Sequence, residues 1–360
     1  MQRLRIGLVG GGMIGSTHAA VLQTIAQAMP DRLELTAVAD PNPQTRETFQ
    51  TMYGWGAAYP DHAALLREAR VDAVFVCTPT AHHAEVVRDV AAAGRHLFVE
   101  KPLAMSLDEA RAMQDAVRRA GVRAQIGLVL RFSAIAWLLR DLLQDPALGA
   151  PMAVIFRDDQ CFPIRGLHDT AWRADRTQTA GGTLIEHGVH DLDLLAWLFG
   201  PIATLRAWQQ NHAGHDGVED YVAVELLFAS GLRAQLVNVW HDMAQRPSNR
   251  RIEVFCRRGF LATEADMGGE ILVQRGDQAA EALRWPAIHE RFSALLGRRD
   301  HAFGDWYGVP YLLQDLSFVE ALLEDRDPEP GLEVGVEAQR LAAAVYAAAE
   351  TGTEIDLAAF

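Results

Sequence analysis

The amino-acid sequence predicts an α/β protein in two parts: a doubly wound parallel sheet in front, and an α+β part with a large, open, mostly antiparallel sheet behind. Three observations carry this. Up to about residue 125, short β-branched runs alternate with helical stretches, the rhythm of parallel strands joined by right-handed crossovers. After it, longer runs with partial alternation follow one another across short turns such as His212-Ala213-Gly214 and Ala229-Ser230-Gly231, as antiparallel strands do. Finally, 360 residues of which 49% are hydrophobic suffice for two buried cores. The expected domains are 1–125 and 126–360.

In order, the front part reads as a strand at Leu4–Val9, a helix at Met13–Met29 and a strand at Leu33–Ala39. Helices follow over Gln44–Tyr53 and over Asp61–Arg70, the latter with Asp61 as N-cap. The run Val71–Cys77 is a buried strand, Ala81–Ala93 a helix and His96–Val99 a strand. Ser106-Leu107-Asp108-Glu109 is a capping box opening a helix that stops at Gly121, and Arg123–Leu128 is the next strand. Behind it come a helix at Ala134–Gln144, a strand at Met152–Arg157, an irregular stretch at Asp158–Ala180 and a helix at Leu184–Phe199. Strands are expected at Ala203–Gln210, Val218–Phe228, Leu232–His241, Arg251–Cys256 and Phe260–Glu264. Pro310–Leu323 and an alanine-rich stretch ending near Glu350 are helical, Glu354–Leu357 is a short strand, and residues 278–305 show no assignable pattern. Helices over one face of the rear sheet leave the other to a partner chain, so a homodimer or homotetramer through that sheet is expected.

Composition narrows the function. With 33 Lys+Arg against 47 Asp+Glu, the net charge of −14 repels phosphate backbones and anionic lipid, which excludes nucleic acid and membrane as expected partners. Cys77, Cys161 and Cys256 lie far apart with no Cys-x-x-Cys pair, which argues against a disulfide framework or a structural zinc. No apolar signal segment precedes the first strand, so a cytoplasmic location is expected.

Gly10-Gly11-Gly12-Met13-Ile14-Gly15 fits G-x-G-x-x-G, and its context is right: a strand feeds it and a helix leaves it. The first glycine permits the tight turn, the second lets backbone approach a pyrophosphate, and the third lets helix and strand pack closely. The helix N-terminus adds N–H groups and positive dipole, with Met13 and Ile14 in its first turn. Asp40, ending the second strand, can accept both ribose hydroxyls of an adenosine and repels a 2′-phosphate; Asp40-Pro41 also starts a loop well, and both readings hold together. NAD is therefore expected in preference to NADP.

Two further motifs end strands at the same sheet edge, where such sheets bind ligands: Cys77-Thr78-Pro79-Thr80-Ala81-His82-His83 and Glu100-Lys101-Pro102. With the fingerprint, they resemble the glucose-fructose oxidoreductase / inositol dehydrogenase (Gfo/Idh/MocA) family of NAD(P)-dependent oxidoreductases. Gly181-Gly182-Thr183-Leu184-Ile185-Glu186-His187-Gly188-Val189-His190-Asp191-Leu192-Asp193 looks like that family's second-half helix, and the likeness runs along essentially the whole chain. Thr80 stands where the family has Asn, and Glu186 where it has Asp, one methylene longer.

The resemblance implies a Rossmann dinucleotide-binding domain, with Thr78, Pro79, His83, Glu100 and Lys101 joining Gly10, Gly12, Met13, Ile14, Gly15 and Asp40 at the cofactor. It also implies that Lys101 hydrogen-bonds the reacting oxygen; a cation there stabilises developing alkoxide. His190 is the candidate general acid/base, because alcohol oxidation releases a proton and a histidine titrates near neutrality. Glu186 lies four residues earlier on the same expected helix face, placed to orient the imidazole or to bind a substrate hydroxyl. Arg131 could lend a cation to the substrate pocket, and Trp172 could wall it or pack in the core. His83 could support the cofactor side or pack its helix, and His18 reads as structural. His187 and Asp191 form an i, i+4 pair, but hydride transfer needs no metal and none is expected. The expected function is NAD-dependent oxidation of a secondary hydroxyl of a sugar, sugar derivative or cyclic polyol. The alternatives are redox-neutral chemistry (glycoside cleavage or epimerisation through transient oxidation by bound NAD) and a non-catalytic, ligand-sensing relative.

Overall fold

The computed structural model describes residues 3–164, 170–264, 269–296 and 310–360. Residues 165–169 of the expected irregular stretch, and 297–305 of the unassigned one, lie outside them. The first elements are β1 (Leu4–Val9), α1 (Met13–Ala28), β2 (Leu33–Ala39), α2 (Pro43–Met52), β3 (Ala57–Tyr59), α3 (His62–Glu68) and β4 (Ala73–Val76). A 3-10 turn at Thr80–His82 leads to α4 (His83–Ala92), β5 (His96–Val99), α5 (Leu107–Ala120) and β6 (Ala124–Ile126). Next come α6 (Ala134–Leu142), β7 (Pro151–Cys161), a π-helical turn at Leu184–Gly188, α7 (Val189–Phe199), β8 (Ile202–Gln210), β9 (Tyr221–Phe228) and β10 (Arg233–His241). The chain closes with β11 (Asn249–Cys256), β12 (Gly259–Thr263), β13 (Ile271–Arg275), β14 (Glu281–Leu283), α8 (Trp285–Leu295), α9 (Pro310–Leu323), α10 (Leu332–Thr351) and β15 (Ile355–Asp356).

Contacts divide the described residues into two units. One holds those up to Val129 together with 310–339; the other holds 130–296 and 340–360. The front unit is a parallel sheet in the order β3-β2-β1-β4-β5-β6, the doubly wound arrangement whose strand order reverses between β1 and β4. Alternation along β4 shows why it needs cover on both sides. Val74 and Val76 pack with α4 and α5 residues such as Val87 and Met113, whereas Ala73 and Phe75 pack with α1 and α9 residues such as Leu22, Leu316 and Phe318. The return of α9 to this unit has no local signal, since its apolar residues are claimed by a sheet more than 200 residues earlier. Ser106 caps α5 by accepting from Glu109 N–H, and Glu109 reaches back to accept the Met105 N–H.

The rear unit's sheet has nine strands among the described residues, in the order β14-β13-β12-β11-β7-β10-β9-β8-β15. It is antiparallel except at its centre, where β7 and β10 run parallel over nine paired residues from Arg233↔Ala153 to His241↔Cys161. The expected strand at Met152–Arg157 therefore extends to Cys161, and Asp158, Asp159 and Gln160 are buried ladder residues rather than loop. Among the described residues, no helix is long and apolar enough to cross a membrane.

Candidate active site

The phosphate loop turns as its glycines require. Gly10 has φ +94, and a Cβ there would meet the Cys77 carbonyl oxygen at 2.6 Å. A Cβ on Gly15 would meet the Gly10 carbonyl oxygen at 2.0 Å, so α1 packs directly on the loop. A Cβ on Gly12 meets nothing within 4 Å, so the space in front of that backbone is open. After Gly12, α1 starts with no side-chain cap and no acid in its first turn, where Met13 and Ile14 sit, so its positive end suits an anion. Asp40 borders the loop: Oδ2 accepts from Gly11 N–H at 2.8 Å and Oδ1 from Asn42 N–H at 2.8 Å. A carboxylate has about four acceptor sites, so two hydroxyls can still bind. Arg46 donates to the carbonyls of Asp40 and Pro41 at 2.7 and 3.1 Å, which commits it to the turn. These residues fit a dinucleotide.

Thr78 and Pro79 follow β4, and Glu100 and Lys101 follow β5, at the same carboxyl edge of the sheet. His83 joins the two turns: Nε2 lies 2.9 Å from the Thr78 carbonyl and Nδ1 lies 2.9 Å from that of Pro102. It is 1% exposed, so the ring is enclosed between these two turns. The Lys101–Pro102 peptide is cis. Glu100 is also turned inward: Oε2 accepts the Lys101 N–H and Oε1 faces His18.

In the rear unit, His190 lies at the start of α7, directly after the π-helical turn that carries Glu186. That wider turn is frequent at functional sites and breaks the simple i, i+4 geometry expected for the pair. Glu186 is 2% exposed; Oε1 accepts from Thr179 at 2.6 Å and Oε2 lies 3.4 Å from Arg173 Nε. Arg173 also stacks over Trp172, 4.6 Å from its ring centre, which makes Trp172, Arg173 and Glu186 one cluster. Arg131, expected to lend a cation to the substrate pocket, is bidentate to Asp193 at 2.9 and 2.7 Å, which fixes the direction of its guanidinium.

Three sets of residues had no readable signal. Glu219 caps the Gly181-Gly182 turn from the loop that precedes β9, accepting the N–H groups of Gly182 and Leu184 at 2.7 and 2.9 Å and the Tyr346 hydroxyl at 3.0 Å. Burial pushes its carboxyl up, against those donors. On the sheet, Asn238, Asp158 and Arg250 occupy one rung of β10, β7 and β11, and Asp191 of α7 accepts from Asn238 at 2.6 Å and from Arg250 at 2.8 Å. His187 joins through Asp158 at 3.4 Å, and a Cβ on Gly188 would meet Asn238 Oδ1 at 2.5 Å. This buried polar rung sets the position of α7, and with it His190. The third set is His18 with Asp315 and Glu100.

Comparison with known proteins agrees with this geometry. Residues 4–128 match the family model described as an oxidoreductase family, NAD-binding Rossmann fold, and residues 137–262 match the GFO/IDH/MocA C-terminal domain. The chain is 29% identical over 355 residues to inositol 2-dehydrogenase of Rhizobium meliloti (strain 1021), spanning 96% of this chain and 97% of that one. It is 28% identical over 265 residues to myo-inositol 2-dehydrogenase of Thermotoga maritima, spanning 72% of this chain and 74% of that one. The fold superposes on an NAD binding oxidoreductase from Klebsiella pneumoniae with a TM-score of 0.84, 25% identity and 99% of both chains covered. A phosphate loop beside a strand-end carboxylate, a lysine at the same sheet edge and matches along both units place this enzyme, an NAD-binding dehydrogenase, in the GFO/IDH/MocA family of oxidoreductases.

Proposed function

We propose that the protein oxidises a secondary hydroxyl of a sugar, sugar derivative or cyclic polyol, with NAD preferred to NADP, in the cytoplasm. The carrying observation is that the fingerprint, Asp40 and Lys101 share one carboxyl edge of one sheet. Relatives named inositol 2-dehydrogenase and scyllo-inositol 2-dehydrogenase (NAD(+)), and a structural neighbour named levoglucosan dehydrogenase, support the substrate class. The three cysteines are free thiols, which suits a reducing compartment.

Gly10, Gly12, Met13, Ile14, Gly15 and Asp40 would hold the dinucleotide, together with Thr78, Pro79 and the turn at Glu100–Lys101. The bound dinucleotide would supply the acceptor for the hydride that leaves the substrate carbon. The Lys101 ammonium donates to the reacting oxygen and stabilises negative charge as it develops. A ring nitrogen of His190 takes the hydroxyl proton. Glu186, held by Thr179 and Arg173, sets the hydroxyl pattern that the site accepts, with Trp172 as its neighbouring wall. Incubating the enzyme with NAD and a panel of polyols and sugars while following NADH absorbance tests this reading; a panel without a single responding substrate counts against it.

Asp40 carries the cofactor preference. NAD should bind more tightly than NADP, and Asp40→Ser should narrow the gap, because the variant no longer repels a 2′-phosphate. Calorimetric titration showing equal or tighter NADP binding to the unmutated enzyme would refute the assignment.

We also propose a homodimer or homotetramer formed through the rear sheet. Its outward residues include Ile155, Trp208 and Phe255, exposed by 43%, 53% and 40%, which is much apolar surface for one sheet face. Light scattering at micromolar concentration should give a mass of at least two chains; a monomer mass contradicts the proposal.

A further inference from the structure

His18, on α1, is fully buried between two carboxylates. Its Nδ1 lies 2.8 and 3.0 Å from the two oxygens of Asp315 on α9, and its Nε2 lies 3.1 Å from Glu100 Oε1. The other Glu100 oxygen accepts the backbone N–H of Lys101 at 3.1 Å. A continuous chain of polar contacts therefore runs from Asp315 through His18 and Glu100 to the residue that the proposed mechanism uses to hold the reacting oxygen. We infer that His18 and Asp315 are positioning residues, which act through Glu100 to set the strand-end turn presenting Lys101. This rests on the role proposed above for Lys101.

Chemistry supports the assignment. A neutral imidazole donates through one nitrogen only, but both ring nitrogens here face carboxylates, so the imidazolium is the form that satisfies the arrangement. Burial opposes that charge, and Asp315 and Glu100 outweigh it, raising His18 to about 10. Burial pushes the Asp315 carboxyl up, and the contact with His18 works against that rise. The neighbouring Cys77 thiol is driven well up by burial and by the same two carboxylates, so it stays neutral.

Such a triad is costly in this setting. The His18 ring packs against Phe75, Phe98 and Tyr311, a surround that a hydrophobic side chain would fill without desolvating three ions. Space is reserved for it as well: a Cβ on Gly127 would meet Glu100 Oε1 at 2.6 Å. What the triad supplies is a fixed direction for Glu100, tied to α1 and α9 together. His83 holds the next residue, Pro102, by its carbonyl, so the turn is fixed on both sides of Lys101.

The test uses the full enzyme and its best panel substrate. His18→Gln should lower kcat by about 10–100-fold, as small misplacements of a reacting group do, with NAD affinity changed by less than about threefold. The double variant His18→Gln/Lys101→Met should be no slower than Lys101→Met alone, because both act through the same ammonium. Losses that multiply, or normal kcat in His18→Gln, would overturn the inference while leaving the role of Lys101 standing. A slow His18→Gln beside a near-normal Lys101→Met would overturn both. Asp315→Asn keeps an acceptor for His18 and should repeat the loss more mildly; normal kcat there counts against the relay. On the unmutated enzyme, nitrogen-15 spectroscopy of the 13 histidines should show one ring keeping both protons at pH 8, well above the usual titration near 6.5. If every ring is singly protonated at that pH, the relay does not exist.

Discussion

Lys101→Met is expected to lower turnover by a factor on the order of 10²–10³ while NAD affinity changes by less than about threefold. Methionine keeps much of the aliphatic stem and removes only the charge. That charge matters in proportion to the negative charge on the substrate oxygen, which is small in the bound alcohol and large as the hydride leaves. The loss should therefore fall on kcat more than on KM. Cofactor binding is separable because the dinucleotide's phosphates and ribose are served by the glycine loop and Asp40, on β1, α1 and β2. Steady-state turnover paired with NAD titration checks both halves. Near-normal turnover would remove Lys101 from the mechanism.

His190→Asn is expected to cost on the order of 10²–10⁴ in kcat by removing the proton acceptor, and to flatten the acid limb of the pH–rate profile. Asparagine retains hydrogen-bonding capacity but has no titratable nitrogen, so a change in the shape of the profile reports lost base chemistry. Helix α7 should keep its place, since it is held by Asp191 on Asn238 and Arg250 and by the Glu219 cap on the preceding turn. A variant that keeps the parental acid limb would show that the titrating base is another group.

Much of the front unit was legible because its signals are local. The glycine turn, Asp40 at a strand end, the Asp61 cap and the Ser106 capping box each involve a few consecutive residues. Strand β3 escaped because three half-buried residues, Ala57–Tyr59, leave too short a pattern. In the rear unit, β7 was cut short at Arg157 because Asp158, Asp159 and Gln160 read as loop, whereas all three are buried, with Asp158 against Arg250 of β11 and Asp159 against Arg246 of the loop between β10 and β11. The central parallel pair β7–β10 was missed for the related reason that pairing partners 80 residues apart leave no local trace. His190 and Lys101 could be picked out by motif. The residues that hold them could not: Glu219 lies 37 positions from Gly182, Asn238 47 from Asp191, and Asp315 297 from His18. His18 itself read as a structural helix residue, and only its two carboxylate neighbours reveal a charged one.

The central claim is hydride transfer from a substrate carbon to bound NAD. Its most direct test is a single-turnover reaction with the best panel substrate deuterated at the carbinol carbon, read by mass spectrometry of the recovered cofactor. The account predicts one deuterium in the reduced nicotinamide and a stoichiometric oxidised product. Recovered NAD without deuterium, beside a product formed by cleavage, epimerisation or proton exchange with solvent, would contradict it.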